Sequence, residues 1–305
     1  MKFRKRLKRF PFLAVMVAVS LLLTAAVIFL QGDKRRTGGD GVADGPAARL
    51  RKITPLPEGP RRFPERERRG VRIAVIIDDI GFDLHQVKLL ARTKAPIAFA
   101  VLPNAPHAAD AARLLHEAGK EILLHLPMEP RSYPAENPGE GALFTRMTAA
   151  EIRGRLAEQL RAVPYAAGVN NHMGSLFMEW EEGLTVVMEE LARRNLYFID
   201  SRTTPNSLGR TTAARAGVRF AERAVFIDHE RGYRAALANL VHPHRWDWEK
   251  GKPLLLIGHP FAETMSALTS AQSRWEEAGM EVIPPSMLVG PPDGKERGKA
   301  LARYW

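Results

Sequence analysis

From Val71 onward the chain repeats one pattern: a short apolar run that stops at Asp, Asn or His, then a stretch of helical period. The runs are RIAVII (72–77), IAFAVL (97–102), EILLHL (121–126), AGVNNH (167–172), LYFID (196–200), AVFID (224–228) and LLLIGH (254–259). Largely unbroken apolar runs of this length suit strands buried on both faces, the environment of a parallel sheet. Between most of them lie segments of helical spacing: LHQVKLLART, Ala108 to Gly119, a segment opened at Thr148 by the capping box TAAE, WEEGLTVVMEELARRN, and AETMSALTSAQSRWEEAG. Strand–helix alternation with short connections predicts an α/β fold with helices outside a parallel sheet. Seven such units over residues 71–290 predict a barrel, complete or slightly open, rather than an open doubly wound sheet.

The strand ends carry the polar residues. In order they are Asp78-Asp79, Pro103-Asn104, His125, Asn170-Asn171-His172, Asp200-Ser201, Asp228-His229 and His259-Pro260. Polar groups gathered at one end of apolar strands make the C-terminal mouth of a barrel, where barrel enzymes keep their active sites. Asp, Asn and Ser also serve as helix caps, and Asp83 before LHQVKLLART is read that way. Histidine is a poor cap, so His125, His172 and His259 are the residues that favour chemistry. Two adjacent carboxylates, Asp78 and Asp79, raise at least one pKa unless a cation lies between them.

The chain has no cysteine, which excludes disulfides, zinc–thiolate sites and thiol nucleophiles. A metal here has to be held by His and carboxylate, and three such ligands leave a position open for water. Asp79, His125 and His172, from the first, third and fourth strand ends, are the predicted metal ligands. Glu129, four residues after His125, is a second candidate ligand, with a structural role as the simpler reading. Asp78, beside the metal carboxylate, is placed to accept a proton from an attacking water. His259 is placed to return one to a leaving group, its pKa raised if Asp200 lies within hydrogen-bond reach. Asn170, Asn171 and Ser201 are candidates for touching substrate or supporting the ligands. His229 reads as exposed. The long loop from Pro127 to Met147 offers Tyr133 and Phe144 for a substrate groove, and Trp246 and Trp248 are candidates for stacking on sugar rings.

Charge and hydropathy divide the chain at about residue 70. Residues 1–70 hold 17 Lys+Arg against 6 Asp+Glu, and the remaining 235 hold 28 of each, so the net +11 is entirely N-terminal. A folded part without surplus positive charge argues against nucleic acid as a partner. Residues 1–10 carry six cations, and residues 11–30 carry no charge at all. That uncharged length spans a bilayer core, and the cations before it favour a cytoplasmic N-terminus. The reading is a single transmembrane signal anchor in the inner membrane with the remainder on the periplasmic side; secretion after signal cleavage is the alternative. Residues 31–70, rich in Arg, Pro and Gly, read as a flexible linker, and residues 291–305 as a basic tail.

IIDDIG, FAVLP, AGKEILLHLPMEP, GVNNHMGS, FIDSRT and IGHP occur in that order. Together, over residues 72–289, they resemble the divergent polysaccharide deacetylase family, a branch of the NodB-like carbohydrate esterase superfamily. The resemblance implies a distorted (β/α)7 barrel and removal of N-acetyl groups from an envelope polysaccharide or peptidoglycan-type glycan. It also implies a divalent metal, zinc first, with manganese, cobalt or nickel as alternatives. By that likeness Asp78 matches the base, Asp79 the metal carboxylate and His259 the acid. Two motifs depart from the superfamily: its pair of histidines four apart is here His125 and Glu129, and its arginine motif is here Asn170-Asn171-His172. Those departures motivate a second reading from another class, an inactive glycan-binding or scaffolding module.

Overall fold

The computed structural model describes residues 71–242 and 253–290. The basic N-terminus, the expected anchor at 11–30, the expected linker at 31–70, the C-terminal tail at 291–305, and Trp246 and Trp248 all lie outside the described residues. Among the described residues no helix is long and apolar enough to cross a membrane.

The described strands are β1 (Val71–Ile80), β2 (Ala98–Val101), β3 (Ile122–Met128), β4 (Gly168–Met173), β5 (Tyr197–Asp200), β6 (Phe220–Glu222), β7 (Val225–Phe226), β8 (Leu254–Gly258) and β9 (Met280–Val282). They pair in the order β6-β5-β4-β3-β2-β1-β8-β7, with β9 beside the first residues of β1. Every one of these pairings is parallel. The sheet curls into a half-barrel whose two edges are joined by one continuous stretch of chain. On the β5 side Phe198 N donates to Arg219 O and Arg223 N to Asp200 O; on the β8 side Ala224 N donates to Leu255 O and Ile227 N to Ile257 O.

Residue parity along the strands builds two cores. Ala74, Ile76, Ala98, Ala100, Leu123, Tyr197, Ile199, Leu255 and Ile257 pack together on the concave face. Ile73, Val75, Ile77, Phe99, Val101, Leu124, Leu126, Val169 and Phe198 form the other face, under the helices. Side chains on a strand alternate in this way, and strands buried on both sides need apolar residues at both parities. That is why the runs are apolar throughout.

The helices cover the convex face: α1 (Leu84–Ala91), α2 (Ala108–Glu117), α3 (Ala149–Ala162), α4 (Glu181–Arg193), α5 (Gly209–Ala216), α6 (Tyr233–Val241) and α7 (Ala262–Glu277). Asp83 caps α1, its Oδ1 accepting from His85 N at 2.8 Å. Thr148 and Glu151 form the reciprocal capping box of α3. Besides the one-turn helix Pro285–Leu288, two strands and two longer helices were not expected from the pattern. β6 and β9 are three residues each, too short for periodicity to register. The α5 sequence GRTTAARA has few large apolar residues, yet Thr212 and Ala213 are buried; α6 buries Ala236, Leu237, Leu240 and Val241.

Candidate metal centre and active site

Parity alone would send Asp78 and Asp79 to opposite faces, and β1 avoids that with a bulge. Ile77 pairs with Phe99 and Ile80 with Val101, so β1 holds one residue more than β2 across this interval. Asp79 takes up the extra residue in a left-handed conformation, φ 56°. Such a conformation costs a non-glycine residue of order 1–3 kcal/mol and is found mostly where function requires it. Gly81 completes the turn at φ 123°, where an added Cβ would lie 2.7 Å from Ala105 Cβ. Both carboxylates therefore enter the same mouth.

The pairing of β3 with β4 sets His125 beside Asn170 and Pro127 beside His172. His125, Asn170 and His172 share the concave-facing parity and meet β1 across the curl of the sheet. Three atoms converge there: Asp79 Oδ1 lies 3.3 Å from His125 Nε2 and 3.2 Å from His172 Nδ1, and the two nitrogens are 3.1 Å apart. Asp79 Oδ1 is nonetheless a buried oxygen without a hydrogen-bond partner, the only such side-chain atom among the described residues. The contacts with the rings are close but not aligned as hydrogen bonds. Tetrahedral zinc with bonds of about 2.0–2.1 Å has ligand–ligand edges of about 3.3–3.4 Å, close to this triangle. A carboxylate, two imidazoles and no thiolate suit zinc, with manganese, cobalt and nickel also compatible. The residues present fit a divalent cation, and Asp79, His125 and His172 would hold it.

The second His125 nitrogen is engaged on the far side of the ring. Nδ1 is 3.0 Å from Asn170 Oδ1, and Asn170 Nδ2 donates to Asp78 Oδ1 at 2.8 Å. Because the amide nitrogen faces a carboxylate, its oxygen faces His125, and Nδ1 carries the hydrogen of that bond. Asp78 is 2% exposed. Burial pushes its carboxyl above the ordinary range, against the opposing pull of His125 and His259. Burial also favours neutral Asp79, but His125 and His172 outweigh it and hold that carboxylate well below the usual range. His125 is disfavoured as a cation by burial, yet the charge of Asp78 and the contact with Asp79 push it up to about 9.

His259, just past β8, faces this cluster with Nε2 3.9 Å from Asp79 Oδ2. Its partner is Asp228, not Asp200. Asp228 Oδ1 is 3.1 Å from His259 Nδ1, and Oδ2 accepts from His259 N at 2.6 Å and from Thr264 Oγ1 at 3.1 Å. Burial would lower His259, but the bond to Asp228 and the charges of Asp78, Asp228 and Asp79 raise it. Phe226 stacks on one side of its ring at 5.3 Å, and Phe261 tilts against it at 5.4 Å.

Asp200 fails to reach His259 for a reason of parity. Tyr197 and Ile199 point into the half-barrel, so Phe198 and Asp200 point out of it. The Asp200 carboxylate instead accepts from Ser207 Oγ at 2.5 Å and Arg202 N at 2.7 Å. Asn171 has the outward parity too, accepting from Ser201 N at 2.8 Å and donating to Met173 O at 2.9 Å. Ser201 is buried, its Oγ 3.4 Å from Asn170 Nδ2. Glu129 stands apart from the three-residue cluster, with Oε2 accepting from Thr145 N at 2.7 Å and Thr145 Oγ1 at 2.8 Å. Tyr133 and Phe144 pack edge to face at 5.0 Å, with Arg146 over Phe144. His229 is exposed. Asp228 is the functional candidate that strand-end reading passed over in favour of Asp200. The alternation in AVFID, where Val225 and Ile227 lie under the helices and Phe226 and Asp228 do not, was the available signal.

A curled parallel α/β sheet with its polar cluster at the C-terminal ends of the strands defines this molecule as a barrel-like α/β protein. Comparison with known sequences narrows the class: the divergent polysaccharide deacetylase profile matches residues 75–289, and the chain belongs to that family. It is similar to the protein YibQ of Escherichia coli K12, 35% identical over 201 residues, covering 65% of this chain and 61% of that one. It is also similar to a protein of Haemophilus influenzae, 31% identical over 227 residues, covering 72% and 75% of the two chains. A crystal structure from Agrobacterium tumefaciens C58 shares the fold, with a TM-score of 0.68 at 24% identity over 72% of this chain and 90% of that one.

Proposed function

We propose that this protein is a divalent-metal-dependent hydrolase that removes N-acetyl groups from an envelope polysaccharide, on a sheet that closes as a distorted (β/α)7 barrel. The observation that carries the reading is the triangle of Asp79 Oδ1, His125 Nε2 and His172 Nδ1, whose buried oxygen has no hydrogen-bond partner. A divalent cation held by Asp79, His125 and His172 would supply Lewis acidity to an amide carbonyl and lower the pKa of water toward neutrality. Asp78 accepts the proton that water gives up as its oxygen bonds to the acetyl carbon. His259, oriented by Asp228, delivers a proton from Nε2 to the amide nitrogen as the C–N bond breaks, releasing acetate and a free amine. Burial of Asp78 and the raised proton affinity of His259 suit those two roles, one a base of increased strength and one an acid that holds its proton to higher pH than a free imidazole. The uncharged segment 11–30 supports an inner-membrane location with this unit on the periplasmic side, in reach of a peptidoglycan-type glycan.

The test is acetate release from N-acetylglucosamine oligomers and from peptidoglycan fragments by the full chain loaded with zinc, cobalt, manganese or nickel. The proposal requires release that depends on the added metal and is lost in Asp78→Asn. Oligosaccharide binding that survives Asp78→Asn, with no acetate from either form, would establish the glycan-binding module in its place.

A further inference from the structure

We infer that Asn170 is a positioning residue that ties the metal site to the general base, through one side chain that does a different job at each end. The inference rests on the proposed metal-dependent reading of this mouth. Asn170 is fully buried, so water does not compete for either of its contacts. Its Oδ1 takes the hydrogen of His125 Nδ1 at 3.0 Å, which in the neutral ring places the lone pair on Nε2, the atom that faces Asp79 and His172. Its Nδ2 donates to Asp78 Oδ1 at 2.8 Å, which holds the rotamer of the base on the same side of the mouth. The register of β3 with β4 supplies the first contact, since His125 and Asn170 are direct neighbours. The curl of the sheet supplies the second, between residues 92 apart in sequence.

Only a primary amide serves both ends. Aspartate of the same length would still accept from His125 but would turn a second acceptor toward Asp78. Alanine would serve neither, leaving the His125 tautomer free and Asp78 buried without its donor. Metal-bound histidines depend on such partners at their other nitrogen, and losing one costs about 10–100-fold in affinity. Asn170→Asp and Asn170→Ala therefore separate the two jobs.

The experiment uses the full chain with three readouts: zinc affinity by competition, histidine tautomers by ¹⁵N NMR of the zinc form, and acetate release. In the wild-type zinc form, His125 should show zinc on Nε2 and a slowly exchanging hydrogen on Nδ1. Asn170→Asp should keep that signature and an affinity near wild type, while acetate release falls about 100-fold or more because Asp78 loses its donor. Asn170→Ala should lose the Nδ1 signature and bind zinc about 10–100-fold more weakly. A hydrogen on Nε2 of wild-type His125, equal zinc affinity in wild type and Asn170→Ala, or full turnover in Asn170→Asp would overturn the assignment. If the wild type binds zinc and releases no acetate from any glycan, the proposed reaction fails, while the tautomer and affinity readouts still decide the role of Asn170. A wild type that binds no divalent cation removes both.

Discussion

The inward and outward sides of the same strand ends carry the same kinds of residue and put them to different uses. Asn170 faces into the half-barrel, between His125 and Asp78; Asn171, its neighbour, faces outward and ties the end of β4 to the loop after β5. Asp228 meets His259 at the mouth, whereas Asp200, on the outward side of β5, holds Ser207 and the backbone of Arg202. Residue type and position at a strand end therefore do not decide a role here; parity does. The one residue that defies parity, Asp79, does so through the bulge in β1 and its left-handed backbone. Strain is accepted at the position where a second carboxylate has to enter the same space.

The largest separation between the two sides should appear in metal binding. His125→Ala or Asp79→Asn removes one of the three proposed ligands, so zinc affinity measured by competition should fall by more than the ~10–100-fold typical of outer partners. Asn171→Ala should leave that affinity unchanged and instead lower stability by about 1–3 kcal/mol in denaturant unfolding, because the buried Ser201 N–H loses its acceptor. An Asn171 variant that loses zinc would break the distinction.

The next effect is on turnover alone. Asp78→Asn should retain zinc and lose about 10²–10⁴-fold in acetate release, the usual worth of a general base. Comparison of Asp228→Asn with Asp200→Asn then sharpens the division. His259 is raised by Asp228, so its acid form persists below the raised value and is lost as pH climbs through it. Removing the Asp228 charge should move the alkaline limb of the rate profile to lower pH; Asp200→Asn should leave that limb in place. A shift with Asp200 and none with Asp228 would reverse the assignment of the partner.

The smallest effect concerns the metal-free chain. His125 is raised in the folded state to about 9 from an ordinary 6.5. Its contribution is therefore fully present below about 6.5 and is lost as pH rises through about 9. With chelator present, the melting temperature should decline as pH rises across that window. The increment produced by zinc, which needs neutral imidazole, should grow across the same window. An increment that is constant with pH would argue against His125 as a ligand.

Much of this was legible in the sequence because the inner and outer cores both demand apolar residues. That demand makes the strands stand out as unbroken runs and makes any polar residue at their ends conspicuous. His125, His172 and the Asp78–Asp79 pair stood out in that way, and the structure brings them together. The partner of His259 was harder. Asp200 and Asp228 end equally apolar runs, LYFID and AVFID, so strand-end position does not choose between them and only parity does. The bulge at Asp78–Asp79 could not be read at all, because a run of Ile followed by two Asp does not say which residue will be the extra one. The short strands β6 and β9 escaped for want of length, although β6 opens the segment that joins the sheet's two edges.

The central claim is that one divalent cation sits among Asp79, His125 and His172. X-ray absorption of the zinc-loaded full chain tests it most directly. The account predicts one zinc per chain with two imidazole nitrogens and carboxylate or water oxygens at about 2.0–2.2 Å, falling to one imidazole in His125→Ala. Zinc bound without imidazole, or a spectrum unchanged by His125→Ala, would contradict it.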